Sequence, residues 1–524
     1  MYDLIIKDGI IVDGTGKPKY VSDIGINEER ITNISDLSDG ASKKVIDARD
    51  CVVSPGFIDI HSHSDFTILV NPTSDSKVKQ GVTTEVIGNC GFSAAPSLGK
   101  IKEKAGNICK GYGLEFNWSS LGEYLNQIRD ISVNVVPLVG QGNIRAAVLG
   151  YEDRKPTYKE QDRMKYLLKE AFEQGSFGLS AGLIYPPGCF TKGEELIELC
   201  KVVVEFEGVF ASHIRSEGTH LIEAIEEVID IGKETGVKVH ISHLKTQGKE
   251  SWKRLDTVFK KIEDGLRDGI RITCDRYPYL AGSTDLDIIL PSWVYEGGTA
   301  EELKRLRDPE CRERLKGKIL ESHGDSWEDV MISSVSRRRN KWMEGKRISQ
   351  ILKEINLHPC DFIFDLLIDE KAQVQAIFFS MSEDNLKRIL KKPYTSIGSD
   401  SSSRKTSGIL AKGKPHPRAF GTFPHVLSKY VREEKILTME EAIHKMTGAN
   451  SLLIGIKERG FIKEGMYADI VVFNPRLIKD QATYEDPFKY PKGIEYVLVN
   501  GKITVKRGRH TGVLAGKVLK RDNI

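Results

Sequence analysis

Between residues 55 and 455, eight short runs rich in apolar and β-branched residues alternate with longer helical stretches, and this alternation constrains the fold more than any other feature. The runs cover residues 57–63, 84–88, 133–138, 178–180, 209–213, 238–243, 271–274 and 395–398. Apolar strands separated by helices form parallel βαβ units buried on both faces. Eight in series predict an α/β fold of the (β/α)8, TIM-like barrel type, while periodicity alone also admits an open doubly wound sheet. A barrel places its chemistry at the carboxyl ends of the strands.

Outside this stretch the pattern changes. Residues 4–12, 23–26, 30–34 and 44–47 read as short strands separated by turns, and so do 469–473, 494–499 and 502–506, the last two joined by an Asn500-Gly501 hairpin signal. The two ends are expected to share one small β-sandwich domain, residues 1–54 plus 460–524, beside a barrel at 55–459. Residues 283–348 interrupt the barrel pattern with Pro291-Ser292-Trp293-Val294-Tyr295 and a charged helix. This reads as an insertion over the barrel mouth, either a lid or a plain surface excursion. Its basic run Arg337-Arg338-Arg339-Asn340-Lys341 reads as a solvated loop rather than a nucleic-acid site.

Composition removes several classes of function. With 77 basic and 74 acidic residues the net charge is +3, so no general pull toward nucleic acid or a membrane surface follows. The N-terminus lacks a signal-peptide pattern, and no apolar stretch is long enough to span a bilayer. Eight scattered cysteines without close pairing read as reduced thiols, which predicts a cytoplasmic protein. Oligomeric state is left open.

Histidine marks the ends of the apolar runs. His61 and His63, at i and i+2, leave a strand on the same face, a metal-chelating geometry. His213 ends a second run and His240 and His243 lie in a third. The last two are an odd number of positions apart, so they are expected to face opposite sides, with His243 toward the site and His240 packed behind it. Asp400 ends the run at 395–398. An aspartate there is ordinarily a turn former, but the histidines at the other ends argue for chemistry. Cys90 lies in Gly88-Asn89-Cys90-Gly91, where glycines let the backbone turn tightly and aim a thiolate. Cys90, His213 and His243 would give zinc three protein ligands and leave a position for water, as in catalytic sites.

Taken together these motifs resemble the N-acyl-D-amino-acid deacylases (D-aminoacylases) of the amidohydrolase superfamily. The resemblance rests on Gly56-Phe57-Ile58-Asp59-Ile60-His61-Ser62-His63, Gly88-Asn89-Cys90-Gly91, Gly182-Leu183-Ile184-Tyr185-Pro186-Pro187-Gly188, Ser212-His213-Ile214-Arg215-Ser216-Glu217-Gly218 and Ile241-Ser242-His243-Leu244-Lys245. Tyr277-Pro278-Tyr279, Ala281-Gly282-Ser283-Thr284, Gly398-Ser399-Asp400 and His416-Pro417-Arg418 extend it in family order across the chain. It departs between Asp400 and His416, where the loop holding Arg404 and Lys405 is longer and more basic than the family pattern.

The resemblance implies zinc-dependent hydrolysis of N-acyl-D-amino acids, a small-molecule substrate class, on a barrel flanked by a β-sandwich. It makes Cys90, His213 and His243 the ligands of one tight zinc and His61 and His63 those of a second, weaker metal. Asp400 becomes the general acid/base, and Lys245, Tyr277, Ser283, Arg418 and Tyr185 hold the substrate. Zinc brings the pKa of bound water from about 16 to near 7, so hydroxide is available at neutral pH. The alternatives are a cyclic-amide hydrolase of dihydroorotase or hydantoinase type and a non-catalytic binding homologue. The first should carry a lysine for carboxylation at the end of the fourth strand, where Gly178-Leu179-Ser180-Ala181-Gly182 has none. The second should have lost metal ligands that this chain retains.

Overall fold

The computed structural model describes residues 1–323 and 327–521, so residues 324–326 of the expected insertion and 522–524 of the expected terminal domain lie outside the described residues. The nine central strands are β1 Phe57–Asp59, β2 Val82–Ile87, β3 Asn134–Pro137, β4 Val139–Gly140, β5 Gly178–Gly182, β6 Val209–His213, β7 Lys238–Ile241, β8 Ile272–Arg276 and β9 Thr395–Ile397. They pair in parallel as a three-stranded sheet, β1-β2-β3, and a six-stranded sheet, β9-β8-β7-β6-β5-β4. Backbone hydrogen bonds also join the two sheets. Leu138 N donates to Ile87 O at 2.9 Å and Phe177 N to Pro137 O at 2.9 Å, while on the far side Asp400 N donates to His61 O at 2.8 Å.

The intervening helices are set by local chemistry and burial. Thr157 opens the helix Tyr158–Glu173 with a capping box completed by Glu160, and Met164, Leu167, Leu168, Ala171 and Phe172 form its buried stripe. Leu221–Thr235 ends at Gly236, whose φ of +74° closes the last turn. Apolar side chains of these helices and of β2, β5, β6, β7 and β8 form the largest core.

The two termini meet in one nine-stranded sheet, where Val52–Pro55 pairs antiparallel with Ile470–Phe473. In the latter strand Ile470 and Val472 enter the core of the terminal sheet, while Val471 and Phe473 enter the central core. Burial on both faces explains why the strand is continuously apolar rather than alternating. The chain after His510 leaves this sheet and runs along β3, with Val135 N donating to Lys517 O at 2.9 Å and Leu519 N to Val135 O at 2.8 Å.

The excursion extends further than the expected 283–348. Gly282–Asp285 pairs antiparallel with Gln375–Phe378, which also pairs with Val330–Ser334, and four helices from Thr299 to Asp369 pack on this small sheet. It has its own core, including Leu286, Tyr295, Ile332, Ile351 and Phe364. The basic run folds back on it, where Arg337 and Arg339 pair with Asp369. Among the described residues no helix is long and apolar enough to cross a membrane, and all eight cysteines are free thiols.

Candidate metal centre

The residues singled out by the sequence gather where the central strands end. Cys90 follows β2, His213 ends β6, His243 follows β7 and Asp400 follows β9. Cys90, His243 and Asp400 have φ of +52°, +38° and +50°, conformations unfavourable for any residue with a Cβ, and strain of this kind concentrates at functional sites. The Cys90 turn depends on its glycines. A Cβ at Gly88 would lie 2.1 Å from Leu138 O, and one at Gly91 2.5 Å from Gly182 N.

The donor atoms of Cys90, His213 and His243 all lie within 4.8 Å of one another, and those of His61, His63, Cys90 and Asp400 form a second such group. Cys90 Sγ is 3.2 Å from His61 Nε2 and 3.5 Å from His243 Nε2. Among the described residues, neither ring nitrogen of the buried His213 has a hydrogen-bond partner. A buried polar ring left without a partner is costly, and a metal ion would satisfy it.

Electrostatics prepares the same donors. Burial opposes a Cys90 thiolate, but His61, His243 and His213 outweigh it and hold the thiol well below its usual range. Burial also keeps His213 neutral, lowering it from its ordinary value. Burial, and for His243 also Lys245, opposes protonation, but His61 and His243 are raised because Asp275 for one and Glu217 for the other, together with Cys90 and Asp400, outweigh it. Metal must therefore displace protons from these two rings, so its affinity is expected to fall as the pH is lowered. A set of one thiolate and neutral imidazoles suits zinc.

Two carboxylates absent from the sequence reading orient the rings. Asp275 Oδ2 accepts from His61 Nδ1 at 3.0 Å and from His240 Nε2 at 3.0 Å, while Glu217 Oε1 lies 3.0 Å from His243 Nδ1. Asp275 fixes the tautomer that turns Nε2 of His61 toward Cys90, whereas His243 Nδ1 is shared between Glu217 Oε1 and the Lys245 ammonium at 2.7 Å. His240 thus packs behind the centre as expected, but not by facing away. β7 ends at Ile241, so the two-residue period does not reach His243, and His240 and His61 converge on one carboxylate. Likewise β1 ends at Asp59, and His61 and His63 leave from irregular backbone beyond it. Replacing Glu217 by glutamine is expected to weaken metal binding by roughly 10–100-fold in a competitive chelator titration. Unchanged affinity would remove Glu217 from this role.

Around the centre, Asp400 Oδ1 is 3.0 Å from His63 Nε2 and its Oδ2 accepts from Arg418 Nη1 at 2.8 Å. Arg418 Nη2 also donates to Ser283 O at 3.2 Å. The Tyr277 ring packs against both Arg276 and Arg418, whose guanidinium carbons are 4.3 Å and 4.6 Å from its centroid. Tyr185 meets the His213 ring edge-on, and Thr284 donates to its hydroxyl at 3.1 Å. Lys245 is already engaged by Glu217 and lies 2.7 Å from His243 Nδ1, so it is less free than a substrate-binding cation would be.

With this geometry in place, comparison with known proteins gives a consistent answer. The pattern of the Amidohydrolase family matches residues 44–296 and 359–505. The chain belongs to this family. It is 33% identical to the D-aminoacylase of Alcaligenes xylosoxydans xylosoxydans over 522 residues, covering 99% of this chain and 98% of that protein. Among solved structures it matches N-acyl-D-glutamate deacylase from Bordetella bronchiseptica, complexed with zinc and a phosphonate mimic of the tetrahedral intermediate. That match has a TM-score of 0.84 and 31% identity, covering 99% of this chain and 100% of the other. A D-aminoacylase studied for one-metal activation and second-metal attenuation of its binuclear centre matches with a TM-score of 0.84 and 34% identity, again over 99% and 100%. Within the amidohydrolases the chain thus groups with the N-acyl-D-amino-acid deacylases.

Proposed function

We propose that this amidohydrolase is a zinc-dependent enzyme that hydrolyses the amide bond of N-acyl-D-amino acids, releasing a carboxylate and a free D-amino acid. The observation that carries the proposal is the convergence of Cys90, His213 and His243 beside Asp400, with neither His213 nitrogen hydrogen-bonded among the described residues, in a chain alignable end to end with D-aminoacylase. Zinc held there supplies an activated water at neutral pH and polarises the amide carbonyl.

The protein's own residues do the rest. Arg418, whose Nη1 and Nη2 hold Asp400 Oδ2 and Ser283 O, would turn part of this fork to the free α-carboxylate, with Tyr277, Ser283 and Tyr185 bordering the same space and Lys245, paired with Glu217, as a further cation. Asp400 is the general acid/base. Burial raises its carboxyl, but Arg418, His243 and His61 outweigh that and hold it well below its usual range, so at neutral pH it is ionised and can accept a proton from the attacking water. It then returns that proton to the leaving nitrogen, because an amine departs poorly as an anion.

Cys90, His213 and His243 form the tight zinc site, and His61 and His63, sharing Cys90, form a weaker one. Exposure supports this ranking at one ligand: the His63 side chain is 32% exposed, against 0% for His61, 6% for His213 and 2% for His243, so solvent competes at His63. The backbone bonds joining the two parallel sheets support a closed (β/α)8 barrel, with β3 and β4 as one interrupted strand. Residues 55–459 form the barrel domain and the two termini the flanking β-sandwich. The excursion from residue 283, which brings Ser283 and Thr284 to the site, acts as its lid. Free thiols throughout support a cytoplasmic location.

The test is a panel of N-acetyl-D- and L-amino acids with dihydroorotate and hydantoin, assayed alongside elemental analysis for zinc. The D-series should be cleaved faster than the L-series by about 10–200-fold or more. Hydrolysis of the cyclic amides alone would overturn the assignment in favour of the cyclic-amide alternative.

A further inference from the structure

We propose that Lys77 is a positioning residue for Asp400, fixing from outside the reacting pocket the backbone that carries the carboxylate. Lys77 lies in the short helical turn Asp75–Val78, and its side chain is completely buried. Its ammonium donates to Asp59 Oδ2 at 2.6 Å, to Ser399 Oγ at 2.8 Å and to the Ser401 carbonyl oxygen at 2.7 Å, with Ser62 Oγ at 3.2 Å and Glu85 Oε2 at 3.4 Å. Ser399 and Ser401 are the residues on either side of Asp400. Asp59 grips Ser399 as well, accepting from its backbone N–H at 2.8 Å and from its hydroxyl at 2.6 Å.

This clamp answers a specific structural need. Asp400 has a φ of +50°, and an aspartate in a free loop would relax out of that region. Such a conformation persists only where the surroundings over-determine it. Here the preceding and following residues are tied to the Lys77–Asp59 pair, and Asp400 N–H donates to His61 O at 2.8 Å. His63 N–H donates at 3.2 Å to the same Ser401 oxygen that Lys77 holds. One ammonium thus couples the backbone of Asp400 to that of His61 and His63. Lysine, aspartate and glutamate are rarely buried completely, and apolar residues would fill this space with less desolvation. Control of geometry accounts for their presence where packing does not.

The role rests on the reading of Asp400 as the proton-transfer group, and the experiment separates the two. In zinc-loaded Lys77→Met we expect wild-type zinc stoichiometry, KM within about threefold and kcat lowered by roughly 10–100-fold, the range that a displacement of about 1 Å produces. Its crystal structure should show Asp400 out of the left-handed region or away from His63. Should Lys77→Met not fold, Ser399→Ala removes one link of the clamp while keeping the Lys77–Asp59 pair, and a smaller fall in kcat at constant KM is expected. Wild-type kcat with Asp400 unmoved would overturn the proposal, as would parallel loss of zinc, KM and kcat. If the wild-type enzyme cleaves no N-acyl amino acid, the functional reading fails, and the Asp400 backbone in the variant structure still decides the role of Lys77.

Discussion

Asp400→Asn should retain wild-type zinc stoichiometry and a near-normal KM while kcat falls by about 10²–10⁴-fold, the contribution typical of a general acid/base. The substitution is close to isosteric, so the amide oxygen can still accept from Arg418 Nη1, which now holds Asp400 Oδ2 at 2.8 Å. Zinc should stay, because Asp400 is not among the tight donors Cys90, His213 and His243. What disappears is proton transfer, since an amide cannot take up a proton from water or return it to the leaving nitrogen. Steady-state kinetics with metal analysis on the same preparation reads all three quantities. Turnover near that of the wild type would remove Asp400 from the mechanism, and loss of zinc would instead make it a structural ligand.

The parts of this site carried by local pattern were legible in the sequence, and the parts created by tertiary contact were not. β6 ends at His213 as its apolar run predicts, and Cys90 sits in a turn that its glycines announce. His240 and His243 show where periodicity stops working: alternation holds inside a strand, whereas β7 ends two residues before His243. Asp275 looks like one acid in a short strand and Glu217 like one acid in a polar loop. Their roles appear only when β8 lies beside β7 and when the segment after β6 folds under His243. Lys77 was invisible for a related reason, since a lysine in Asp75-Ser76-Lys77 reads as solvated until Asp59, Ser399 and Ser401 close around it. The excursion runs past residue 348 through the helices Ile348–Ile355 and Pro359–Asp369, whose sequences carry no mark of where it ends. The pairing that holds them apart joins the polar Gly282–Asp285 to residues some ninety positions away, and no local signal marks it.

Cys90→Ala should lose tightly bound zinc and fall in activity to the level of the zinc-stripped wild type. Cys90 belongs to both donor groups and is the one thiolate among them. Without it, a divalent cation at the tight site would be held in a buried pocket by two neutral imidazoles, with no anionic ligand among its donors. Losing a partner behind a ligand already costs roughly 10–100-fold in metal affinity, and losing the ligand itself should cost more. Misfolding is a poor explanation for such a loss. In the zinc-free protein the change removes the thiolate that faces His61 and His243, but these rings can shed their protons and stay neutral, and Asp275 still holds His61 through Nδ1 at 3.0 Å. The melting temperature of the zinc-stripped variant should therefore stay close to that of the zinc-stripped wild type. Cys90→Asp provides the complementary control, because carboxylate oxygen is also a zinc ligand and should restore part of the stoichiometry. Full zinc and full activity in Cys90→Ala would reduce Cys90 to a packing residue and shift the metal to His61, His63 and Asp400.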